Sequence, residues 1–459
     1  MILDGVARPT MRHHTTRTAA GLGAALSLLL LSSCAAEGGS APGSASESAS
    51  AGTDEHEAPD ATEAQARTPR VAVTYEGGVL VLDAMSLEPV GEIELEGFNR
   101  INPAGDERHL MVSTAGEFRV LDLGSWAEAH GDHAHYWTAE PTLTDVAYEA
   151  AKPGHVVVHE GRTALFDDGT GLVRVVDSEH VADADAAARE HTTPSAHHGV
   201  AVELTDDTLV VSEGTEEGAT GIRVLDGDGE EIAASDECPG VHGEAVAADE
   251  AVLIGCQDGA LLYTDGKITK VDAPDSYGRI GNQAGTEASP VVLGDYKTDK
   301  GAELERPMQV SLIDTRNGKL ELVELPSSYT FRSLARGDDG EALVLGTDGQ
   351  VHVIDPEKAK VTKSIPVIDE WEEPVEWQEP RPAILALDGS VYVTDPATDS
   401  IHAVDIESGE VWKSAEIGVT PNELNGVTGD EPHTHEHEHA EDEHEDEHEH
   451  EGEGEGEGH

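Results

Sequence analysis

Val79-Leu80-Val81-Leu82-Asp83, Phe118-Arg119-Val120-Leu121-Asp122 and Val173-Arg174-Val175-Val176-Asp177 are three instances of one short phrase, an apolar strand-like run closed by aspartate. It returns as Ile222-Arg223-Val224-Leu225-Asp226, Val310-Ser311-Leu312-Ile313-Asp314, Val351-His352-Val353-Ile354-Asp355 and Ile401-His402-Ala403-Val404-Asp405. A shorter variant, Ala260-Leu261-Leu262-Tyr263-Thr264-Asp265, falls between the fourth and fifth of these. Each phrase follows another short apolar run and a glycine-containing turn. Short strands repeating at roughly 40 to 50 residues predict an all-β chain folded as a β-propeller, each period being one four-stranded blade. The phrases predict eight blades, with seven as the alternative. The first blade lacks an innermost strand on its N-terminal side, and Pro421–Thr428 is expected to supply it from the other end of the chain. Closing the ring in that way would hide both sheet edges, which otherwise invite aggregation.

Outward from the repeats the composition changes abruptly. The propeller is expected to occupy residues 69–430. Two stretches break its cadence: Trp126–Trp137, read as an insertion between blades, and Val181–Pro194, read as an acidic, alanine-rich loop. Residues 35–68 are Ser, Ala, Gly, Glu and Thr with almost nothing to bury, which predicts a disordered linker. Before them, Met11, Arg12 and Arg17 precede an apolar run from Ala19 to Leu31 and then Leu31-Ser32-Ser33-Cys34. A basic start, a short apolar core and small residues before a cysteine predict a secretory signal over residues 1–34. The Leu-Ser-Ser-Cys ending resembles the lipobox of bacterial lipoproteins and implies that Cys34 is lipidated. The protein is therefore expected outside the cytoplasm, lipid-anchored to the outer face of the bacterial cell membrane. Met1–Thr10 has no signal character, so Met11 is an alternative start. Residues 431–459 form a low-complexity His/Glu-rich tail, expected to be disordered and to bind metal.

Charge removes one class of function. The chain carries 28 Lys+Arg against 93 Asp+Glu, a net charge of -65, and so has no basic face to displace phosphate counterions from nucleic acid. Acidity of this kind suits a surface that gathers cations, though for most of the carboxylates solubility is explanation enough. The 24 histidines are a different matter, because they are clustered.

His155 opens the innermost strand of one blade, His198 the next after 43 positions, and His242 the one after that, 44 further on. Another 45 positions lead to Glu287. Innermost strands border the central channel, so equivalent positions on successive blades lie at one depth around it. Imidazole nitrogen and carboxylate oxygen are donors that zinc accepts. His155, His198, His242 and Glu287 are thus the candidate metal centre, with His197 in reserve. Any one of these histidines alone reads as a polar channel residue; three at a single period do not.

A second cluster, His130-Gly131-Asp132-His133-Ala134-His135-Tyr136-Trp137, places three imidazoles and a carboxylate within one short loop. His159 and His191 could join either group. In the tail, His433, His435, His437, His439, His444, His448 and His450 alternate with glutamate and are expected to collect divalent metals with little selectivity. Cys238 and Cys256, in an exported chain, read as a disulfide, with two metal-serving thiols as the other reading. No phosphate loop, Gly-x-Ser-x-Gly elbow or His-Glu-x-x-His helix is present, and no catalytic residue is assigned.

The run from His130 to Trp137, the run Lys152-Pro-Gly-His-Val-Val-Val-His-Glu-Gly-Arg-Thr-Ala-Leu-Phe-Asp-Asp-Gly-Thr-Gly171, and the segments around His197-His198 and Cys238–Ala245 resemble the AztD family of zinc metallochaperones. The resemblance spans the propeller. It implies a non-enzymatic extracytoplasmic carrier of Zn2+ that passes the ion to the substrate-binding protein of a zinc ABC transporter, and it implies the Cys238–Cys256 disulfide. The long C-terminal histidine tract and the lipoprotein anchor depart from the family pattern. The alternatives are a metal-dependent propeller hydrolase or lactonase, and a propeller scaffold for envelope proteins.

Overall fold

The computed structural model describes residues 61–432, apart from Asp132 and Glu216; the expected signal, Cys34 and the histidine tail lie outside that range. Eight sheets, each with four antiparallel strands, follow one another along the chain; the fifth also carries Gly278–Arg279, paired parallel to its third strand. Blade 1 is Arg70–Tyr75, Gly77–Asp83 and Pro89–Leu95, with Leu424–Val427 paired to Arg70–Tyr75 as its innermost strand. The expected closure by the C-terminal strand is therefore present, and with it the eight-blade count. Blades 2 to 8 begin with the inner strands Arg100–Pro103, Pro153–His159, Ala201–Glu203, Glu244–Ala247, Gln283–Ala284, Leu334–Arg336 and Ile384–Leu387.

The aspartate-terminated phrases are the third strands of all eight blades. Their side chains are buried on both faces, as in Gly77–Asp83 and Asp258–Thr264, because each blade is sandwiched between two others. That explains why they read as continuous apolar runs rather than as alternation. The closing aspartate has a separate task. Asp83, Asp226, Asp314, Asp355 and Asp405 each turn a carboxylate oxygen onto backbone N–H groups of the following hairpin turn; Asp83 accepts from Ser86 at 2.7 Å and Asp405 from Ser408 at 2.7 Å. Such side-chain turns fix where the third strand stops and the fourth begins.

The core is divided into eight apolar clusters, one at each blade–blade contact. The contact that closes the ring is built like the others: Val71, Val73, Leu80 and Leu82 of blade 1 meet Tyr392, Ile401 and Ala403 of blade 8. A polar contact reinforces it, the Tyr392 hydroxyl donating to the carbonyl of Ala84.

The two breaks in cadence resolve differently from expectation. Ser125–His130 and His133–Thr138 form a hairpin in a sheet of its own, inserted in the chain between the third strand of blade 2 and its outer strand Thr142–Glu149 rather than between blades. Thr62–Ala64, inside the stretch expected to be a linker, adds a third strand to this hairpin. The alanine-rich segment is not all loop, since Ala188–Thr192 is the outer strand of blade 3. Outer strands have one neighbour and a wet surface, so they lack the apolar signature. Among the described residues no helix is long and apolar enough to cross a membrane.

Candidate metal centre

Three consecutive blades each present one histidine to a common cavity of about 830 Å³. His155 projects from the inner strand of blade 3, whereas His198 and His242 stand in the short segments that lead into the inner strands of blades 4 and 5. Their ring centroids are 5.1 Å (His155–His198), 5.1 Å (His198–His242) and 5.8 Å (His155–His242) apart. One nitrogen from each ring lies within 4.8 Å of the other two.

Each ring has its Nδ1 turned to an oxygen atom. Nδ1 of His198 donates to Asp168 at 2.7 Å, Nδ1 of His242 donates to the carbonyl of Gly281 at 2.6 Å, and Nδ1 of His155 lies 3.1 Å from Glu244. Every one of these partners comes from a different blade or inter-blade segment than the ring it holds. Acceptors of this type fix the tautomer and orientation of a metal-binding imidazole and leave Nε2 for the ion. Close packing makes the arrangement possible: a Cβ on Gly154 would sit 2.2 Å from Asp168 Oδ1.

The environments of the three rings differ. Burial, then the positive surroundings of His155 and Arg279, push His242 down to about 3, so it is neutral over the physiological range. Burial also acts against charge on His155, but the Glu244 carboxylate outweighs it and raises that ring. Three nitrogens on one tetrahedral zinc stand about 3.3 Å apart, given bonds of about 2.0–2.1 Å. Side-chain movements of about an ångström bring the trio to that spacing. Among the described residues no fourth imidazole or carboxylate completes the set, so the centre offers three donors and an open position.

Glu287 is not with them. It lines a separate cavity together with Glu107, His109 and His159. The constant period carried the register too far, because the inner strand of blade 6 is Gln283–Ala284, with Gln283 paired to Gly294, and Glu287 falls beyond its end. His197 is buried, with Nδ1 donating to the carbonyl of Ser195 and Nε2 accepting from the Ser212 hydroxyl; both nitrogens are used in the core. His159 is likewise buried and donates to Glu250 at 3.0 Å. His191 sits on the outer strand of blade 3. Asp168, Glu244 and Gly281 were missed from sequence, although Glu244, two positions beyond His242, carried a usable hint.

The hairpin gathers the second group. Cross-strand pairing sets His130 opposite His133 and Glu128 opposite His135, all on one face. The three imidazole centroids are 5.1–5.4 Å apart, and Glu63 from the added strand meets Nδ1 of His135 at 3.0 Å. This group is more exposed than the channel trio. Asp132 lies outside the described residues. Cys238 and Cys256 are joined as a disulfide, which ties the end of blade 4 to the second strand of blade 5 close to His242.

No family model matches the chain. Among curated proteins it is similar to the zinc chaperone AztD of Citrobacter koseri, 27% identical over 360 residues that cover 76% of this chain and 82% of that one. The crystal structure of Citrobacter koseri AztD superposes with a TM-score of 0.69 at 24% identity, covering 79% of this chain and 98% of the other. Apo AztD from the same organism gives 0.68 at 23%, covering 80% and 100%. The likeness expected from the His130 and Lys152 runs is borne out, and it extends over most of the propeller.

Proposed function

We propose that this chain, similar to the zinc chaperone AztD along its propeller, is a non-enzymatic carrier of Zn2+ outside the cytoplasm. It holds the ion at His155, His198 and His242 and delivers it to the substrate-binding protein of a zinc ABC transporter. The observation that carries this reading is the convergence of three imidazoles whose Nδ1 atoms face Asp168, Glu244 and Gly281.

Three donors and an open position suit transfer better than permanent storage. A donor from the receiving protein can take the open fourth position of a tetrahedral zinc before the carrier's own ligands leave. The exposed hairpin group at His130, His133 and His135, together with the histidine tail, would collect the ion, and a lipid on Cys34 would keep the carrier at the membrane where the transporter works. Nothing in this scheme requires turnover.

The test is zinc stoichiometry by chelator competition on a chain ending at Asp430 with His130, His133 and His135 replaced by alanine. One tight zinc is expected, lost on further replacement of His155, His198 and His242. A shortened chain that holds no tight zinc would overturn the proposal.

A further inference from the structure

The cavity above the trio is basic in a protein that is otherwise acidic. Arg100, Lys152, Arg279 and Lys297 line it, although Lys and Arg number only 28 against 93 acidic residues in the whole chain. Three of the four have carboxylate partners: Lys152 with Asp168 at 3.5 Å, Lys297 with Asp295 at 3.2 Å and Arg100 with Glu423 at 3.5 Å. The guanidinium of Arg279 has neither an ion pair nor a hydrogen bond among the described residues. It is half-buried and rests against Gly281, where an added Cβ would meet its Nε at 3.0 Å. Gly281 is also the residue whose carbonyl holds His242. A guanidinium so placed, in a chain with carboxylates to spare, is positioned for a ligand that arrives from outside. The metal itself cannot be that ligand, since cation and guanidinium repel each other. An anion bound to the metal can be.

We infer that the open position of the trio takes an anionic oxygen ligand of carboxylate type, which bridges the metal and the guanidinium of Arg279. The guanidinium presents a planar fork of N–H donors that matches a carboxylate. One oxygen would bind the ion while the other accepts from Arg279, and no proton or bond changes hands. The inference rests on the metal reading proposed above. The carboxylate can be a free small anion or the side chain of an approaching peptide, and the chemistry is the same for both.

The experiment uses the full chain with His130, His133 and His135 replaced by alanine, loaded with less than one equivalent of cobalt(II) so that the tightest site fills first. The visible spectrum of cobalt reports its ligands directly. Acetate should shift the bands saturably, and Arg279→Gln should raise the half-saturating concentration about tenfold, the loss of one charge-assisted hydrogen bond, without changing the cobalt bound. Arg279→Lys, which keeps the charge and loses the fork, should fall between the two and serves also if the glutamine variant folds poorly. A blocked Gly-Glu-Gly peptide that saturates at lower concentration than acetate supports a protein side chain as the source; the reverse supports a free anion. An unchanged acetate response in Arg279→Gln, with only the pH dependence of cobalt binding altered, would leave Arg279 a positioning residue for His242 and overturn the inference. Failure of the parent protein to bind cobalt at all, or a spectrum that survives His242→Ala, would instead overturn the metal reading, and this inference with it.

Discussion

Asp168 accepts a hydrogen bond from Nδ1 of His198 at 2.7 Å, across the boundary between blades 3 and 4. The aspartate is almost fully buried while the ring it holds is 45% exposed, so the carboxylate is the fixed partner and the imidazole the guided one. Asp168→Asn removes the charge and keeps the shape. Zinc affinity is expected to fall about ten- to a hundredfold, the usual effect of losing such a supporting partner. Chelator competition on the purified variant measures this, and an unchanged affinity would show that His198 needs no guidance.

Protons should compete with zinc at His155 and not at His242. His242, held down to about 3, carries no proton for zinc to displace, whereas the Glu244 carboxylate raises His155. Affinity at the trio should therefore fall as pH drops through the raised value of His155, about tenfold per pH unit for the proton displaced from that ring. Glu244→Gln withdraws the raising carboxylate and should move that loss to lower pH. For the metal-free fold the two rings act in opposite senses. His155 adds stability that is complete below the ordinary histidine value of about 6.5 and fades as pH rises through its folded value. His242 withholds stability as pH falls from about 6.5 towards its own low value, because only the unfolded chain takes up the proton there. Zinc titrations over a pH series on both proteins would separate them, and coincident profiles would refute the assignment.

His352 and His402 occupy equivalent places in the third strands of blades 7 and 8, each with Nδ1 accepting from a serine on the outer strand, Ser364 and Ser414, at 2.8 Å. Burial lowers both below the ordinary value. The unfolded chain therefore binds protons that the folded one refuses, and stability should drain away as pH falls below about 6.5. His352→Gln keeps hydrogen-bonding capacity without a titration. Its melting temperature should fall less than that of the parent between neutral and acidic buffer, and an identical fall would locate the acid sensitivity elsewhere.

Much of this architecture was legible because the third strand of a blade is buried on both sides and has to be apolar throughout, as at Val79–Asp83 and Val351–Asp355. The turn aspartate after it supplied the punctuation. Outer strands such as Ala188–Thr192 were illegible for the same reason in reverse. The trio was visible as a period, but the supports were not: Asp168 comes from the end of another strand, and Gly281 contributes a carbonyl, which any residue could offer. Glu287 shows the limit of counting, since one inter-blade segment of different length shifts the register and leaves Glu287 beyond the inner strand Gln283–Ala284.

The disulfide closes a loop of sequence separation 18 that contains His242. Replacing Cys238 and Cys256 together by alanine should cost about 3 kcal/mol of folding stability, the usual value for a loop of this size. Because the backbone N–H of His242 is bonded to Gly255, next to Cys256, zinc affinity should weaken as well. Urea denaturation and chelator competition read the two effects separately, and a variant as stable as its parent would show that the blades need no covalent tie.

Arg70–Tyr75 and Leu424–Val427 lie side by side in one sheet, held by the same ladder of hydrogen bonds that joins any two strands within a blade. The peptide backbone is therefore interrupted at a seam that packing treats as ordinary. Linking residues near 69 and 430 and cutting the chain at an exposed turn in another blade would yield the same circle of sheets with a different first residue. Where such a molecule begins is decided by the order of its gene and not by the wheel it builds.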